Sequence, residues 1–295
     1  MATSANDVGP PRDGTVAADS LLLMATGSHS PMPTFSVIIP TYGRPQYLAE
    51  AVDSVLHQTM NDFELLIVDD ASPEPIGQFD DPRVRTIRAE RNGGAAAARN
   101  LGASLARGEV LTFLDDDDTW KPQRLAYAVA GLERAPVAVC FHTNGGGRVL
   151  EGYVHDEILD AMPPHLGTTA IRRSAWQPFD ESYRTCEDIV WWLGITKELP
   201  VATHPAQGLM YRVHSGPRAG YGVQQRISDS LRLMEEHADY FSSHHRAAAF
   251  RWKRIGLMNR SLGRYGEANI AFAHSLRLDP SLLAASHLAR SLLRL

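Results

Sequence analysis

Hydrophobic residues in the first half of the chain form short continuous runs separated by a helical stripe. Residues 35–39 make an apolar, β-branched run that ends at Pro40, and residues 64–68 make a second one. Such nearly all-apolar strands are typical of a sheet covered on both faces. Between them, five apolar residues recur at the spacing of an amphipathic helix: Leu48, Ala51, Val52, Val55 and Leu56. The pattern predicts an α/β protein with a mostly parallel sheet flanked by helices.

Later segments continue this alternation. An Ala-rich helix is predicted to direct Leu101 and Leu105 inward and to stop at Arg107 and Gly108. From about Gln224 onward only helical patterns occur, including one hairpin similar to a single tetratricopeptide unit. The remaining predicted elements are strands at 84–87, 111–114 and 137–141 and helices at 95–106, 122–134 and 187–197.

Four consecutive acids, Asp115 to Asp118, follow the strand at 111–114. Because adjacent carboxylates repel one another and add nothing to a core, we expect them to hold a hard divalent cation such as Mg²⁺ or Mn²⁺. Such a cation completes its shell with phosphate oxygens, so a phosphate-bearing substrate is expected. A solvated turn that caps the next helix, with Pro122 near its first position, is the alternative. Asp118 could do that capping while its neighbours bind metal.

A second acidic strand end strengthens the case for a site. Asp69 and Asp70 follow the strand at 64–68, and open α/β sheets bind ligands at the carboxyl ends of their strands. Two acidic strand ends on one edge of a sheet therefore predict a single site.

Composition allows a large core and two or three regions. The chain has 295 residues, of which 44% are hydrophobic and 21% charged. We expect a leader without a fold of its own at residues 1–33, a main domain at 34–222 and a helical segment at 223–295. Two cysteines, Cys140 and Cys186, are too few for a disulfide framework, which fits a cytoplasmic protein.

Charge is distributed unevenly. The formal net charge of −5 argues against a general nucleic-acid binder, but residues 241–295 carry nine Arg or Lys against two acids, or 9 − 2 = +7. This basic tail fits peripheral attachment to the inner face of a membrane, an acidic partner, or simply solvated helix faces. No apolar stretch reaches the roughly 18 residues that a membrane span needs.

Several motifs, taken together, resemble the family 2 glycosyltransferases of GT-A fold. They lie at residues 37–44, 54–59, 63–72, 92–94, 98–100 and 114–118, and the likeness covers roughly residues 35–215. The resemblance implies a nucleotide-sugar donor, with UDP- or dTDP-sugars favoured, a divalent metal and transfer with inversion.

The resemblance also implies roles for single residues. Asp117, Asp115 and His214 are expected at the metal, and Asp188, in the Glu-Asp motif at a helix start, is expected to be the catalytic base. Expected nucleotide-sugar contacts are Pro40, Thr41, Tyr42, Arg44, Asp70, Arg99, Asp115 and Asp116. Without the resemblance, Glu187 and Asp188 would be explained by the helix dipole. Trp191 and Trp192 are on adjacent helix positions, so at most one of them is expected to stack on a sugar.

A metal-dependent glycosyltransferase that uses a sugar, lipid-linked or small-molecule acceptor is therefore the leading hypothesis. A catalytically silent sugar-nucleotide-binding or scaffold protein that acts through its basic tail is the alternative. A dinucleotide oxidoreductase is excluded, because residues 40–44 replace the glycine-rich turn that such enzymes need after the first strand.

Overall fold

The computed structural model describes residues 33–143, 147–212 and 222–294. The predicted leader, apart from Pro33, lies outside the described residues. The strands are β1 (Phe35–Thr41), β2 (Phe63–Asp69), β3 (Val84–Arg88), β4 (Val110–Phe113), β5 (Thr119–Trp120), β6 (Val137–His142), β7 (Glu151–Gly152), β8 (Thr169–Arg172) and β9 (Val201–Met210). The helices are α1 (Pro45–Leu56), α2 (Ala95–Leu105), α3 (Arg124–Leu132), α4 (Glu187–Ile195), α5 (Val223–Glu236), α6 (Ala238–Ser243), α7 (His245–Ser261), α8 (Tyr265–Leu278) and α9 (Leu282–Leu292).

The strands form one mixed sheet in the order β3-β2-β1-β4-β8-β6-β9-β5, with β7 also on β9. β1 lies between β2 and β4 and is parallel to both, and β2 is parallel to β3. β8 runs antiparallel to β4 and to β6. The carboxyl ends of β1, β2 and β4 therefore meet at one edge of the sheet. The chain continues from β1 to β2 on one side and later places β4 on the other side of β1, and open α/β sheets bind ligands in the crevice at such a switch point.

Hydrophobic side chains cover both faces of this sheet, as the apolar runs predict. α1 buries Leu48, Ala51, Val52 and Val55, the predicted stripe, while Leu56 is only partly buried. α2 packs closely on the opposite face, where Gly102 lies against Ile38: a Cβ at this glycine would come within 2.6 Å of an Ile38 methyl group. The mostly parallel α/β fold and the helical C-terminal segment are confirmed.

Several element boundaries differ from the sequence prediction. α3 begins at Arg124, two residues after Pro122, because the Arg124 N–H bonds to the Lys121 carbonyl in a turn before the helix. α3 also ends at Leu132 rather than Arg134, and α4 ends at Ile195. Leu105, predicted to face inward, is 39% exposed because α2 ends there.

The C-terminal helices share the core of the sheet. Leu233 on α5, Tyr240 and Phe241 on α6 and Ala247 on α7 belong to the same buried cluster as Ile38 on β1. α7 and α8 are consecutive helices that pack on each other, and their likeness to a tetratricopeptide hairpin stays a prediction. The division at residues 222 and 223 stays a prediction. Among the described helices, none combines the length and the hydropathy that crossing a bilayer requires.

Candidate active site at the carboxyl ends of the strands

The four acids after β4 have different partners, because the chain turns away from the strand at this point. Asp116 and Asp117 both pair with Arg44, which follows β1, at 2.6 Å each. Asp116 also accepts a 2.7 Å bond from the Thr41 hydroxyl. Burial raises the pKa of Asp116 to about 6, although Arg44 opposes the shift. These contacts fasten the end of β1 to the end of β4.

Asp115 pairs with a different arginine, Arg99 on α2. The Arg99 guanidinium is 4% exposed and donates to Asp115 at 2.7 Å and to Glu187 at 2.9 Å. Burial works against ionisation of Asp115, but the charges of Arg99 and His165 hold its pKa below the usual value. Burial raises the pKa of Glu187 to about 7. The buried guanidinium of Arg99 thus connects Asp115, which follows β4, to Glu187 at the start of α4.

Asp118 is the most perturbed of the four acids. It is 2% exposed, and burial together with the charge of Asp115 raises its pKa to about 8. Its Oδ1 accepts a 2.8 Å bond from the Arg212 N–H, while its Oδ2 is buried without a hydrogen-bond partner. A buried, unpartnered carboxylate oxygen is costly unless something binds it.

His165 completes a group that fits a divalent cation. Its Nε2 lies 3.5 Å from an oxygen of Asp115 and 3.8 Å from Oδ2 of Asp118. One ligand atom from each of the three residues lies within 4.8 Å of the others. Two carboxylates and an imidazole suit Mn²⁺, and the unpartnered Asp118 oxygen faces into this group.

The hydrogen bond on the far side of the His165 ring sets its tautomer. Nδ1 accepts a 3.1 Å bond from the Gly167 N–H, so the proton of the neutral ring resides on Nε2. In this state Nε2 donates towards the carboxylates. Binding a cation through Nε2 would require the proton to leave and the bond from Gly167 to break. Asp115, whose pKa is lowered, therefore fits a cation as it stands. Asp118, with a pKa of about 8, must first lose its proton, and the imidazole fits a cation only after a change of tautomer.

The metal ligands expected from the sequence are only partly brought together. Asp115 is in the group, whereas Asp117 is in its ion pair with Arg44. His214 lies outside the described residues. Asp118 is not the cap of α3, since Gln123 occupies that position without a side-chain bond. His165 escaped sequence reasoning because only the antiparallel pairing of β8 with β4 brings it to the acids.

The second acidic strand end holds a glycine turn. Both oxygens of Asp70 accept backbone N–H groups, from Gly93 and Gly94, at 2.8 Å. Burial raises the pKa of Asp70. Ala71, which follows it, has φ +58°, an uncommon conformation for a residue with a Cβ. Near these residues Tyr42 is 46% exposed, so its ring is accessible at the mouth of the crevice.

The predicted base lies at the start of α4. Asp188 is half-buried, and its Oδ1 accepts the N–H of Ile189 at 2.9 Å. Cys186 just before it has φ +69°. Neither tryptophan has a face free to stack on a sugar, within the expected limit of at most one, because Trp191 and Trp192 are 3% and 0% exposed. Their indole N–H groups instead bond to backbone carbonyls of Gln177 and Pro164.

Comparison with known proteins identifies the family. Residues 36–184, half of the chain, match the model of the family described as glycosyl transferase family 2. The chain belongs to this family. This confirms the resemblance noted in the motifs, and glycosyl transferase family 2 proteins are enzymes that transfer sugars.

Two bacterial relatives are similar over part of the chain. WcaA of Escherichia coli strain K12, provisionally assigned to colanic acid biosynthesis, is 36% identical over 131 residues, which cover 42% of this chain and 46% of WcaA. TuaG of Bacillus subtilis strain 168, provisionally assigned to teichuronic acid biosynthesis, is 29% identical over 184 residues, or 56% of this chain and 73% of TuaG. The matched region thus spans less than half of WcaA.

Solved structures of low sequence identity share the fold. TarS of S. aureus (residues 1–349), in complex with UDP-GlcNAc, has a TM-score of 0.59 at 18% identity, covering 88% of each chain. The mannosyltransferase PcManGT of Pyrobaculum calidifontis, in complex with GDP-Man and Mn²⁺, has a TM-score of 0.57 at 21% identity, covering 90% of this chain and 81% of PcManGT.

Proposed function

We propose that this family 2 protein moves a sugar from a nucleoside-diphosphate donor to an acceptor hydroxyl, with inversion, in the synthesis of a cell-surface polysaccharide or related glycan. The names of WcaA and TuaG support this class of pathway. The donors in the TarS and PcManGT complexes support a nucleotide sugar. Inversion rests on the family resemblance.

The observation that carries the proposal is the Arg99 bridge. Asp115, on the side expected for the donor, and Glu187, next to the proposed base, share one buried guanidinium. Because the Arg99 guanidinium pairs with both acids, the groups expected to bind the donor and the acceptor lie in one crevice. Holding two reactants in one orientation is itself a large contribution to catalysis.

Asp188 is the proposed general base. An acceptor hydroxyl must lose its proton as it attacks, and a positioned carboxylate serves this purpose. Asp188 lies in the first turn of α4, and the Ile189 N–H donates a hydrogen bond to its Oδ1. Oδ2 then receives the proton from the acceptor.

A divalent cation, when bound, neutralises the charge that develops on the departing nucleoside diphosphate. Asp115 and Asp118 are the proposed ligands, with His165 as a third after its change of tautomer. Asp117 and His214 remain the alternative ligands predicted from the sequence. Mn²⁺ in PcManGT supports the class of ion.

The other residues near the crevice are proposed to bind the nucleotide sugar. Asp70 is expected at the nucleobase, and its bonds to the N–H groups of Gly93 and Gly94 fix the position of the adjacent turn. The further proposed contacts are Pro40, Thr41, Tyr42, Arg44, Arg99, Asp115 and Asp116. A panel of sugar nucleotides with Mn²⁺, scored by thermal shift and by nucleoside-diphosphate release, identifies the donor.

The test of catalysis is Asp188→Asn, which keeps the shape of the side chain but cannot accept the proton. We expect transfer and nucleoside-diphosphate release to fall at least a hundredfold, in line with the usual contribution of a general base, while the donor still raises the melting temperature. Asp53→Asn, with a side chain that is 72% exposed on α1, is the matched control and should keep full activity.

The alternative is a silent sugar-nucleotide-binding protein. It predicts donor binding without product, in the wild type as well as in Asp188→Asn. Full turnover by Asp188→Asn would instead show that the base has been misassigned.

Attachment to an anionic membrane is a separate proposal for the C-terminal helices. Arg290 on α9 and Arg294 just after it are exposed next to Leu292 and Leu293, which are 63% and 69% exposed. Basic residues beside exposed apolar ones suit an anionic lipid surface. Flotation with vesicles that contain or lack anionic lipid tests this, and equal binding to both would exclude electrostatic docking.

A further inference from the structure

One face of α5 is bonded to the chain segment that leads into α4. Asp229, Arg232 and Glu236 follow one another at intervals of three and four residues, which places them on a single stripe of the helix. The stripe lies against residues 182–186, which come directly before the Glu-Asp motif. α5 therefore binds this segment through side-chain hydrogen bonds.

Asp229 binds both polar groups of Thr185. Asp229 is 4% exposed, and its Oδ2 accepts the N–H and the hydroxyl of Thr185 at 2.8 Å each. Its Oδ1 accepts a 2.9 Å bond from the Gln225 side chain. Because a buried polar group that loses its partner is costly, these bonds fix the backbone of Thr185 relative to α5.

Three further bonds fasten the residues just before Thr185. The Tyr183 hydroxyl donates to Glu236 at 2.6 Å, and Arg232 donates to the carbonyl and the hydroxyl oxygen of Ser182 at 3.1 and 2.9 Å. The Arg232 guanidinium also lies 4.1 Å from the centre of the Tyr183 ring. Residues 182, 183 and 185 are thus all bonded to one helix of the C-terminal region.

The turn that follows this segment is strained. Cys186 has φ +69°, a conformation that a residue with a Cβ keeps only where its surroundings hold it. Its carbonyl accepts a 3.0 Å bond from the Val190 N–H, so the start of α4 depends on the orientation of this residue. The Ser230 hydroxyl of α5 lies 3.7 Å from the Cys186 sulfur. α5 therefore supplies part of the restraint on this turn.

We propose that Asp229 is a positioning residue for Asp188, acting through the backbone of Thr185 and the turn at Cys186. Asp188 lies three residues after Thr185, in the first turn of α4, so a shift of Thr185 would move the carboxylate relative to the acceptor. The inference rests on the proposed function, because it needs Asp188 to be the base. It makes α5 part of the transfer site, a role distinct from membrane attachment through α9.

The hydrogen bonds of Asp229, rather than its charge, carry this role. Asp229→Asn keeps an oxygen for both donors of Thr185, and the Gln225 amide can rotate to present its own oxygen to the new NH₂ group. Asp229→Leu keeps the branched shape of the side chain but has no acceptor. The two variants therefore separate the loss of the bonds from the loss of the charge.

The experiment measures nucleoside-diphosphate release by the full chain, with Mn²⁺ and with water as the acceptor, well below the melting temperature of every variant. The donor is the best substrate of a panel of UDP- and dTDP-sugars and GDP-mannose. We expect Asp229→Leu to lower kcat about tenfold or more, since a misplacement of about 1 Å can cost a hundredfold. Asp229→Asn should stay within about twofold of wild type, and the donor KM should change less than about twofold in both. Glu235→Ala, on the same helix but exposed, is the control and should match wild type.

Combining Asp229→Leu with Asp188→Asn distinguishes positioning from general damage. If Asp229 acts through Asp188, its loss has no further effect once the base is gone. The double variant should then match Asp188→Asn alone within about twofold. A structural role would lower kcat by the same factor in both backgrounds, and that result overturns the inference. A kcat of Asp229→Asn as low as that of Asp229→Leu also overturns it.

If Asp229→Leu does not fold, Thr185→Val takes its place, because it removes only the hydroxyl bond to Asp229. We expect it to lower kcat about threefold or more in the wild-type background and to change nothing in the Asp188→Asn background. An unchanged kcat in the wild-type background counts against the inference.

The two proposals fail separately. Absence of nucleoside-diphosphate release by the wild type rejects the proposed function, and the role of Asp229 with it. Full activity in Asp188→Asn rejects the base assignment, whatever Asp229 does. Loss of activity in Asp188→Asn, combined with a wild-type kcat in Asp229→Leu, rejects only the role of Asp229.

Discussion

Binding of Mn²⁺ should release about one proton at pH 7. The pKa of Asp118 is about 8 because the carboxyl is buried beside Asp115, so at pH 7 it is about 90% protonated. Asp116, with a pKa of about 6, is already mostly ionised. A cation can bind Asp118 only after its proton leaves, so the ion and the proton compete for the same oxygen.

The magnitude follows from this competition. Protons released per ion at pH 7 should be about 0.9, the protonated fraction of Asp118, and the apparent affinity should rise about tenfold from pH 6 to pH 7 and level off above pH 8. Calorimetric titration with Mn²⁺ in two buffers of different ionisation enthalpy measures the released protons directly. Asp118→Asn is the matched variant, because an amide oxygen can still accept the Arg212 N–H.

We expect the variant to bind Mn²⁺ more weakly and without a buffer-dependent enthalpy. Tight binding with the same enthalpy in both buffers, unchanged in Asp118→Asn, would falsify the assignment of Asp118 as a ligand. In that event Asp117→Ala should be the variant that loses the ion, as the sequence alone predicts.

Two further predictions concern the stability of the fold near the amino ends of β2 and β4, away from the site. The carboxylate of Glu64 is buried, which opposes ionisation, but bonds from the N–H of Arg107 and the hydroxyl of Ser36 hold its pKa below 4.5. Its stabilising effect is therefore present above pH 4.5 and lost as the pH falls through the folded-state pKa. Glu64→Gln should cost about 1–3 kcal/mol at pH 7 in urea unfolding, and the difference from wild type should shrink in acid; a constant difference would contradict this reasoning. Gly108→Ala should destabilise the protein by about 1–3 kcal/mol, because the new Cβ would come within 2.6 Å of the backbone of Phe35 and Ser36. Gly266→Ala, where no atom lies within 4 Å, should instead stabilise helix α8 by up to about 1 kcal/mol; equal effects of the two changes would show that steric contact is not the cause.

The elements that position the site could be predicted because their patterns are local. β1, α1 and β2 follow from a continuous apolar run, a helical stripe and a second run, and each needs only a window of about ten residues. The placement of the acids at a strand end follows in the same way. Local patterns cannot say where a side chain points once the strand has ended.

Partners that come from distant segments were beyond sequence reasoning. Asp117 was expected at the metal, yet Arg44, 73 residues earlier, pairs with it. His165 lacks a recognisable motif, and it reaches the site only because β8 pairs with β4. The burial of Trp191 and Trp192 likewise depends on tertiary packing.

The two ion pairs of Arg99 couple the two sides of the crevice electrostatically. Its guanidinium divides its charge between Asp115 and Glu187. Any ligand that draws Asp115 away leaves Glu187 as the main counter-ion, and the electrostatic environment next to Asp188 changes at that moment. Binding of a ligand at Asp115 would thus change the electrostatic environment near Asp188 through the shared charge of Arg99, without any movement of the backbone.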